Sequence, residues 1–210
     1  MRLKPAPSLI AAALFLAVTL PISAQTAPAA EQGGIPIVVG AGLSYFNLDW
    51  GSDSGVARTM DGPAAWVDWN LNRLPGLLSG FGIEADGRAL MYDEPSSLQY
   101  YGRMRQYTFQ GGAIYTWRHF KKFDPYVKAL AGIGSIDFPA SPPFPNYTHD
   151  TFTINSFAGG GEYDLYRPIW IRADWEYQFW HHTFGPNDLN PHGVTVGLAY
   201  NFGQMRFHRF

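Results

Sequence analysis

The chain has 210 residues, of which 15% are charged and 16% aromatic. Soluble domains usually carry about 25% charged residues, so this composition is unusual for that class. The net charge of -2 argues against a nucleic-acid partner, and the absence of cysteine excludes disulfides, thiolate nucleophiles and an acylated N-terminal cysteine.

The first 24 residues have the pattern of a secretory signal peptide. Arg2 and Lys4 give a basic start, Leu9 to Leu20 form an apolar core, and cleavage is predicted after Ala24. The alternative is an uncleaved anchor helix, although the apolar core is short for a membrane span. Residues 25–34, rich in Ala and Pro, are predicted to form a flexible lead-in. Beyond the N-terminus no run of about 18 apolar residues follows, so spanning helices are not expected in the mature chain.

From Pro36 onward, strand-like runs alternate with turn-rich breaks, and each run divides into an apolar face and a small or polar face. Eight strands are predicted: Ile37–Asp49, Ala64–Leu71, Phe81–Met91, Tyr107–Trp117, Val127–Gly134, Phe152–Leu165, Ile169–Trp180 and Val194–Phe202. The triple glycine Gly159–Gly161 predicts a β-bulge in the sixth strand.

The connections alternate in length along the chain. Longer ones follow the odd-numbered strands: Gly51–Asp61, Tyr92–Arg105, Phe138–Asp150 and His182–Pro191. The third contains four prolines, which a central strand would not tolerate. Among the shorter connections, Asn72–Ser79 is long for a turn. Short periplasmic turns opposite longer external loops are typical of an outer-membrane β-barrel. The predicted fold is therefore all-β, an eight-stranded antiparallel up-and-down transmembrane β-barrel over residues 35–202, with a C-terminal tail over 203–210.

A soluble lipocalin-like barrel, with its apolar faces lining a ligand cavity, is the alternative fold. Glycines on the small or polar faces disfavour it, because exposed strand glycines would weaken a soluble sheet, whereas inside a narrow barrel they make room for larger neighbours. These are Gly40, Gly42, Gly82, Gly112, Gly132, Gly134, Gly160 and Gly197. Large aromatic residues near the ends of the apolar faces predict girdles at two membrane interfaces. They are Tyr45, Trp69, Phe81, Tyr107, Trp117, Trp175, Phe179, Tyr200 and Phe202.

The polar faces carry both signs of charge at middle positions. The residues are Glu84, Asp86, Arg88, Lys128, Glu162, Asp164, Arg172, Asp174 and Glu176. In a barrel too narrow for a wide channel these side chains would pair across the lumen, because a lone buried charge is costly. We expect an ionic network centred on Arg172, Arg88 and Lys128. A solvated polar face is the alternative, since alternation by itself does not distinguish the two.

Two segments carry a family resemblance. The run A-G-G-G-E-Y-D-L-Y-R-P-I-W-I-R-A-D-W-E-Y-Q-F-W, followed by P-H-G-V-T-V-G-L-A-Y-N-F, resembles the closing strands of small bacterial outer-membrane β-barrel proteins, akin to the OmpA transmembrane domain and OmpX. The resemblance implies insertion into a Gram-negative outer membrane by the barrel-assembly machinery. The family's assembly signal is an aromatic C-terminal strand ending in Phe, which Leu198, Tyr200 and Phe202 match, whereas Gly203–Phe210 follows them.

The best catalytic candidate in the sequence is His181-x-Thr183. Some eight-stranded outer-membrane barrels are lipid A deacylases with a His-x-Ser pair on a lipid-facing strand, oriented by a carboxylate. Here Thr replaces Ser, and no carboxylate on a neighbouring apolar face is evident to orient His181. A metal site from His181, His182, Asp188 and His192 matches no standard ligand spacing. We therefore expect no enzymatic activity, no metal and no cofactor.

The predicted function is a structural or adhesive role in the outer membrane, carried by external loops whose ligand the sequence does not name. A narrow passive pore is the alternative, and a lipid A-modifying enzyme is less favoured. The expected partners are outer-membrane lipids, lipopolysaccharide and, during insertion, the assembly machinery. The basic turns, with Arg73, Arg118, Lys121, Lys122 and Arg167, are expected to be solvated or to touch anionic head groups and not to bind a partner.

Overall fold

A computed structural model of the chain describes residues 36–48, 58–71, 76–93, 103–118, 122–137, 149–166, 168–184 and 187–204. The predicted signal peptide, the lead-in, the tail beyond 204 and much of the predicted long connections lie outside these residues. The strands are β1 (Ile37–Leu48), β2 (Arg58–Asn70), β3 (Phe81–Asp93), β4 (Arg103–Thr116), β5 (Phe123–Asp137), β6 (His149–Tyr166), β7 (Ile169–Phe184), β8 (Asn187–Leu189) and β9 (His192–Asn201). Two 3₁₀ turns occupy Gly76–Gly80 and Phe202–Gln204. Within these ranges no helix has the length and apolar character needed to cross a membrane.

The sheet closes on itself. Strands β1 to β7 pair with their sequence neighbours, and β9 pairs with both β7 and β1, always antiparallel. The closing ladder runs from the pair Val38 and Asn201 to the pair Asn47 and His192. The three-residue β8 pairs with the far part of β7. Eight strands therefore form the barrel wall, and the predicted up-and-down antiparallel barrel is confirmed.

The two rims of the barrel differ. We call the rim where β1 begins the turn end; β2, β4 and β6 end there, and the connections 71–80, 117–122 and 167–168 cross it. The opposite rim, where β1 ends, is the loop end. The connection 71–80 is as long as the loop-end connections 49–57 and 94–102, so the predicted alternation in length does not hold at the first turn.

The strands are longer than predicted. Arg58–Asp61, predicted as loop, begins β2, and Phe123 and Asp124, predicted as turn, begin β5. The predicted loop His182–Pro191 contains the end of β7 and the whole of β8. The physical reason is that a neighbouring strand satisfies backbone groups whatever the polarity of the side chains, so pairing continues past the apolar stretch that sequence patterns detect.

One local prediction needs correction, and one proline lies at an unexpected place. The triple glycine forms no bulge: Gly159–Gly161 pair in register with residues 173–175, and the register shift between β6 and β7 lies at Asp164 and Tyr166. Pro63 lies inside β2. In the pairing of β2 with β3, Asp61 and Ala64 have register partners, whereas Gly62 and Pro63 between them have none. A proline without an N–H group is accommodated at such a gap.

Side chains alternate between lumen and outer wall with the period of two expected for strands. In β5, for example, Tyr126, Lys128 and Leu130 are buried, whereas Val127 and Ala129 are exposed. The outward apolar residues include Val39, Leu43, Val67, Ile83, Phe109, Val127, Ile133, Phe157, Val194, Val196 and Leu198. Leu43 and Phe109 are 71% and 63% exposed. A continuous apolar outer wall of this kind is what a lipid-facing barrel presents, so the soluble lipocalin-like alternative is wrong.

Inward glycines do make room for large side chains. A Cβ atom at Gly40 would lie 2.2 Å from the Trp66 ring, and one at Gly134 would lie 2.4 Å from the Trp180 ring. Both tryptophans are inside the barrel, with 4% and 0% exposure. The expectation that lumen glycines accommodate larger neighbours is confirmed at these two positions.

Two apolar clusters occupy the ends of the lumen. The turn-end cluster consists of Val38, Trp66, Trp170 and Ala199. The loop-end cluster consists of Phe46, Leu48, Met60, Leu90, Met104, Ile136, Ile154, Trp180 and Leu189, with Tyr92 and Phe152 packed against it. The inward residues of β7 connect them, because Trp170 belongs to the first cluster, Trp180 to the second, and polar residues lie between.

Candidate functional site: a charged layer in the lumen

The charged layer is the set of buried ionic residues between the two apolar clusters. It consists of Asp68, Glu84, Asp86, Arg88, Lys128, Glu162, Arg172, Asp174 and Glu176. Eight of these were predicted from the sequence. Their inward direction follows from strand alternation, since Glu84, Asp86 and Arg88 share one face of β3 and Arg172, Asp174 and Glu176 share one face of β7.

Arg172 is the centre of the turn-end half of this layer. Its Nη1 donates to Asp68 Oδ2 at 2.9 Å and its Nη2 donates to Glu84 Oε2 at 2.6 Å. Its Nε donates to the Tyr126 hydroxyl at 2.7 Å, and the guanidinium carbon lies 4.9 Å from the centre of the Trp66 ring. Arg172 is 2% exposed, so these contacts replace its hydration almost completely.

Arg88 holds the half of the layer nearer the loop end. Both of its terminal nitrogens bond to the Glu176 carboxylate, at 2.8 Å and 2.6 Å, in a two-pronged pairing that fixes both side chains. Its Nη2 also donates to Asp86 Oδ2 at 3.0 Å. Phe46 of the loop-end cluster lies 5.3 Å from the guanidinium carbon, so Arg88 contacts both layers.

Lys128 links the two arginine centres. Its Nζ lies 2.8 Å from Glu84 Oε1, a carboxylate shared with Arg172, and 3.7 Å from Glu176 Oε2, a carboxylate shared with Arg88. It also lies 3.4 Å from Asp86 and 3.6 Å from Asp174. One network therefore spans strands β2, β3, β5 and β7 across the lumen.

Neutral side chains complete the network. The Tyr126 hydroxyl donates to Asp174 Oδ2 at 2.6 Å. Gln110 and Gln178 both donate to Glu176 Oε1, and Trp180 Nε1 donates to Gln178 Oε1 at 2.9 Å. The indole of the loop-end cluster is thus attached to the charged layer through one glutamine.

The layer contains more acidic than basic groups. Six carboxylates, Asp68, Glu84, Asp86, Glu162, Asp174 and Glu176, face three cations, Arg88, Lys128 and Arg172. Four carboxylate oxygens accept no hydrogen bond from any residue that the structure describes: Asp68 Oδ1, Asp86 Oδ1, Glu162 Oε1 and Asp174 Oδ1. Glu162 also borders a cavity of about 210 Å³ at the turn end, together with Asn70, Arg118 and Asp124.

The sequence prediction differs from this arrangement at three places. Asp164 is only half-buried, on the inward face of β6 near the turn end, and its backbone N–H donates to the Lys122 carbonyl. Asp68 and Tyr126 belong to the network although neither was named for it. Asp68 shares the inward face of its strand with Trp66, and Tyr126 was missed because its strand was predicted to begin at Val127; the alternation Asp124, Tyr126, Lys128 is the signal that identifies it.

The nine predicted girdle residues all lie on the outer wall. Five of them cluster near the turn end: Trp69, Phe81, Trp117, Tyr200 and Phe202. Ring contacts join four of them in two groups: Tyr115 lies 4.9 Å from both Phe81 and Trp117, and Tyr200 lies 4.8 Å from Phe202, measured between ring centres. Tyr45, Tyr107 and Phe179 lie towards the loop end of their strands, whereas Trp175 lies near the middle of β7.

The histidine-rich segment lies on strands and not in a loop. His181 is exposed on the outer wall, and His192 stacks on Tyr177 with ring centres 5.9 Å apart and an interplanar angle of 8°. The side chains of His182, Thr183 and Asp188 lie outside what the structure describes. Across the described part of the chain, no group of three or more His, Asp or Glu residues is arranged to hold a metal ion.

Solved structures share this architecture. Ail, the attachment invasion locus protein of Yersinia pestis, aligns with 16% identity and a TM-score of 0.58, covering 79% of this chain and 97% of Ail. Neisserial surface protein A aligns with 15% identity and a TM-score of 0.58, covering 81% of this chain and 100% of that protein. At identities this low, the structural alignments show a shared fold and nothing about function. No curated protein sequence matches the chain.

The family is established by the sequence as a whole. A model of the outer membrane protein beta-barrel domain matches residues 10–202, which is most of the chain. The match includes all nine strands, the charged layer and both apolar clusters. This protein belongs to the outer membrane protein beta-barrel domain family and is a barrel of the outer membrane.

Proposed function

We propose that this protein is a closed outer-membrane barrel that acts through the surface at its loop end and does not conduct solutes through its lumen. The observation that carries the proposal is the filling of the lumen by three successive layers of side chains. Glu176 and Trp180, in adjacent layers, are both 0% exposed.

The layers oppose passage in different ways. An ion entering from the loop end would have to displace the tightly packed cluster around Trp180, and protein interiors of this kind resist such displacement. An ion that reached the charged layer would have to separate Arg88 from Glu176 and Arg172 from Glu84, bonds of 2.6 to 2.8 Å in a dry environment. These features support a closed barrel over the narrow-pore alternative.

A surface role is supported by the rigid scaffold beneath the loop-end connections, because loops on such scaffolds commonly carry binding. Ail, which shares the fold, is an attachment protein by name and is also solved in complex with a heparin analogue, sucrose octasulfate. The connections 49–57, 94–102, 138–148 and 185–186 of the present chain contain three acidic residues and no basic residue. These segments offer no cation to a polyanionic ligand, whereas Arg58, Arg103 and Arg105 lie on the adjoining strand ends. We propose that the segments contact an uncharged or apolar partner surface.

Planar-bilayer recording tests the closed lumen. The refolded protein is expected to give no steady single-channel current under conditions in which a general porin does. The protein is added at matched amounts, after a heat-shift gel has shown that it is folded. Steady currents that change in the Arg172→Ala variant would contradict the proposal and favour the pore.

An attachment assay tests the surface role. Replacing 138–148, which is uncharged and contains four prolines, by a Gly-Ser segment of equal length is expected to reduce attachment of barrel-bearing vesicles to immobilised extracellular-matrix protein to background. A Gly-Ser replacement of residues 72–75, in a connection at the turn end, is the control and should keep attachment. Wild-type vesicles that do not attach would contradict the surface role.

A further inference from the structure

Three side chains at the loop end form a chain of contacts on the outer wall. Asp137 at the end of β5 is the register partner of His149 at the start of β6, and Asp137 Oδ1 accepts a hydrogen bond from His149 Nδ1. The other ring nitrogen, His149 Nε2, lies 3.5 Å from Thr151 Oγ1. The sequence pattern drew attention to His181-x-Thr183, and this second His-x-Thr pair was missed.

The three residues share the outward face. Ile136, Phe152 and Ile154 of the same strands pack in or against the loop-end cluster, so by alternation Asp137, His149 and Thr151 point away from the lumen. The side chains of His149 and Asp137 are 59% and 37% exposed. These side chains are therefore accessible both to lipids along the outer wall and to water at the membrane boundary.

From this geometry we propose that Asp137, His149 and Thr151 form a hydrolytic site for carboxylic esters of membrane lipids. In the tautomer that carries the proton on Nδ1, where Asp137 accepts it, Nε2 has a lone pair facing the Thr151 hydroxyl, which is the arrangement that activates an alcohol nucleophile. A separation of 3.5 Å is at the long end for a hydrogen bond, and such contacts commonly tighten when substrate binds. Thr151 is the nucleophile, His149 the general base and acid, and Asp137 a positioning residue.

The outer wall next to this site suits an acyl chain. Along the β5–β6 ladder the outward pairs following Asp137 and His149 towards the turn end are Ser135 with Thr151, Ile133 with Thr153, and Ala131 with Asn155. At Ala131 begins a groove of about 530 Å³, with a floor of small residues that includes Gly111 and Ala129. A second groove of about 500 Å³, also bordered by Ala129, follows it. Four residues of strand, about 13 Å, separate Thr151 from Asn155.

An ester held at Thr151 would therefore place its hydrocarbon tail past Ile133 towards the groove that begins at Ala131, and its polar part at the loop end. Ser135, the register partner of Thr151, brings a second hydroxyl group to the same place. Both glycerophospholipids and lipopolysaccharide contain carboxylic esters of fatty acids, so the proposed substrate class is the fatty-acyl ester of a lipid in the leaflet at the loop end.

The reaction balances with water as the second reactant. Thr151 Oγ1 attacks the acyl carbon as its proton passes to His149 Nε2. The ester C–O bond then breaks, and the leaving alcohol takes that proton. Water, deprotonated by Nε2, attacks the acyl-threonine, and the breaking of the bond to Oγ1 releases the fatty acid while Nε2 returns the proton to Thr151.

The test measures free fatty acid by mass spectrometry after the refolded full chain is incubated with phosphatidylethanolamine vesicles or with lipopolysaccharide. Release from one substrate, falling about 100-fold or more in Thr151→Ala and His149→Ala, is expected, since loss of a general base typically has that effect. Thr59→Ala, an outward hydroxyl at the loop-end start of β2 and away from this wall, is the matched control and keeps wild-type release. The lipid that yields fatty acid identifies the source of the ester.

Further variants separate the roles. Asp137→Asn is expected to lower kcat with KM unchanged, and Thr151→Ser to retain activity. Ala131→Phe, which fills the groove floor, is expected to slow cleavage of p-nitrophenyl palmitate but not of p-nitrophenyl butyrate. Wild-type protein that is folded by heat-shift gel yet releases no acid from either lipid would overturn the proposal, as would a Thr151→Ala variant with wild-type release.

Discussion

The charged layer and the loop-end cluster fill adjoining parts of one lumen by opposite means. In the charged layer, Arg172, Arg88 and Lys128 are held by directed bonds of 2.6 to 2.9 Å. In the loop-end cluster, Trp180 and its apolar neighbours are held by shape and volume. An inward strand face in a membrane barrel can therefore be either polar or apolar: buried cations are held by carboxylates, and buried apolar side chains by close packing.

The two regions also depend on each other. The loop-end cluster keeps water from that side of the charged layer, and a low local dielectric strengthens ion pairs while it raises the cost of breaking them. The bond from Trp180 to Gln178, and from Gln178 to Glu176, connects the regions directly. A substitution in one region is therefore expected to alter the contribution of the other to the unfolding free energy. The following variants measure the size of each effect.

The largest effect is expected from Arg172→Ala. This change leaves Asp68 and Glu84 without their shared cation, and removing one partner of a buried ion pair costs about 3–5 kcal/mol of unfolding free energy. Urea titration of the protein refolded in micelles measures the loss. Lys122→Ala, an exposed cation at the turn end, is the control and should differ little from wild type. An Arg172→Ala variant as stable as wild type would contradict the network.

A somewhat smaller effect is expected from Trp180→Ala. The substitution leaves a cavity in the loop-end cluster and costs about 3 kcal/mol, at the lower end of the range for a buried tryptophan. Trp175→Ala, on the outer wall of the same strand, is the matched control. If the apolar layer shields the charged layer, the double variant with Arg172→Ala should lose less than the sum of the single losses. A strictly additive result would show that the regions are independent.

The smallest of the three effects is expected from Gly134→Ala. Its Cβ would lie 2.4 Å from Trp180 Cη2, and overpacking of this kind costs about 1–3 kcal/mol. Gly159→Ala is the control, because the nearest atom to its Cβ is 3.8 Å away. The cost at Gly134 should largely vanish in the Trp180→Ala background. If it persists there, the glycine is required for another reason, such as the backbone of β5.

Much of the fold could be predicted from residue order because strand alternation is a local property. The assignment of Arg172, Asp174 and Glu176 to one face needs only the period of two. The limits of the strands were less predictable: Tyr126 was missed because pairing with β4 and β6 extends β5 beyond the apolar run. The loop-end cluster was missed because Phe46, Leu90 and Trp180 are apolar residues that alternate in step with the polar residues of their strands. Their apolar character suggests the lipid face, whereas their position in the alternation suggests the lumen.

The sequence by itself determined the family, the number of wall strands, and the division of each strand into two faces with the charged residues on the inward one, since these follow from composition and local periodicity. Only the tertiary structure decided which inward residues share a layer, because that depends on the register between strands that are far apart in sequence. Arg172 meets Asp68 across 104 positions of the chain, and Asp137 meets His149 only where β5 and β6 are paired. The charged layer, the filling of the lumen by side chains and the contact between Asp137 and His149 all depend on that register.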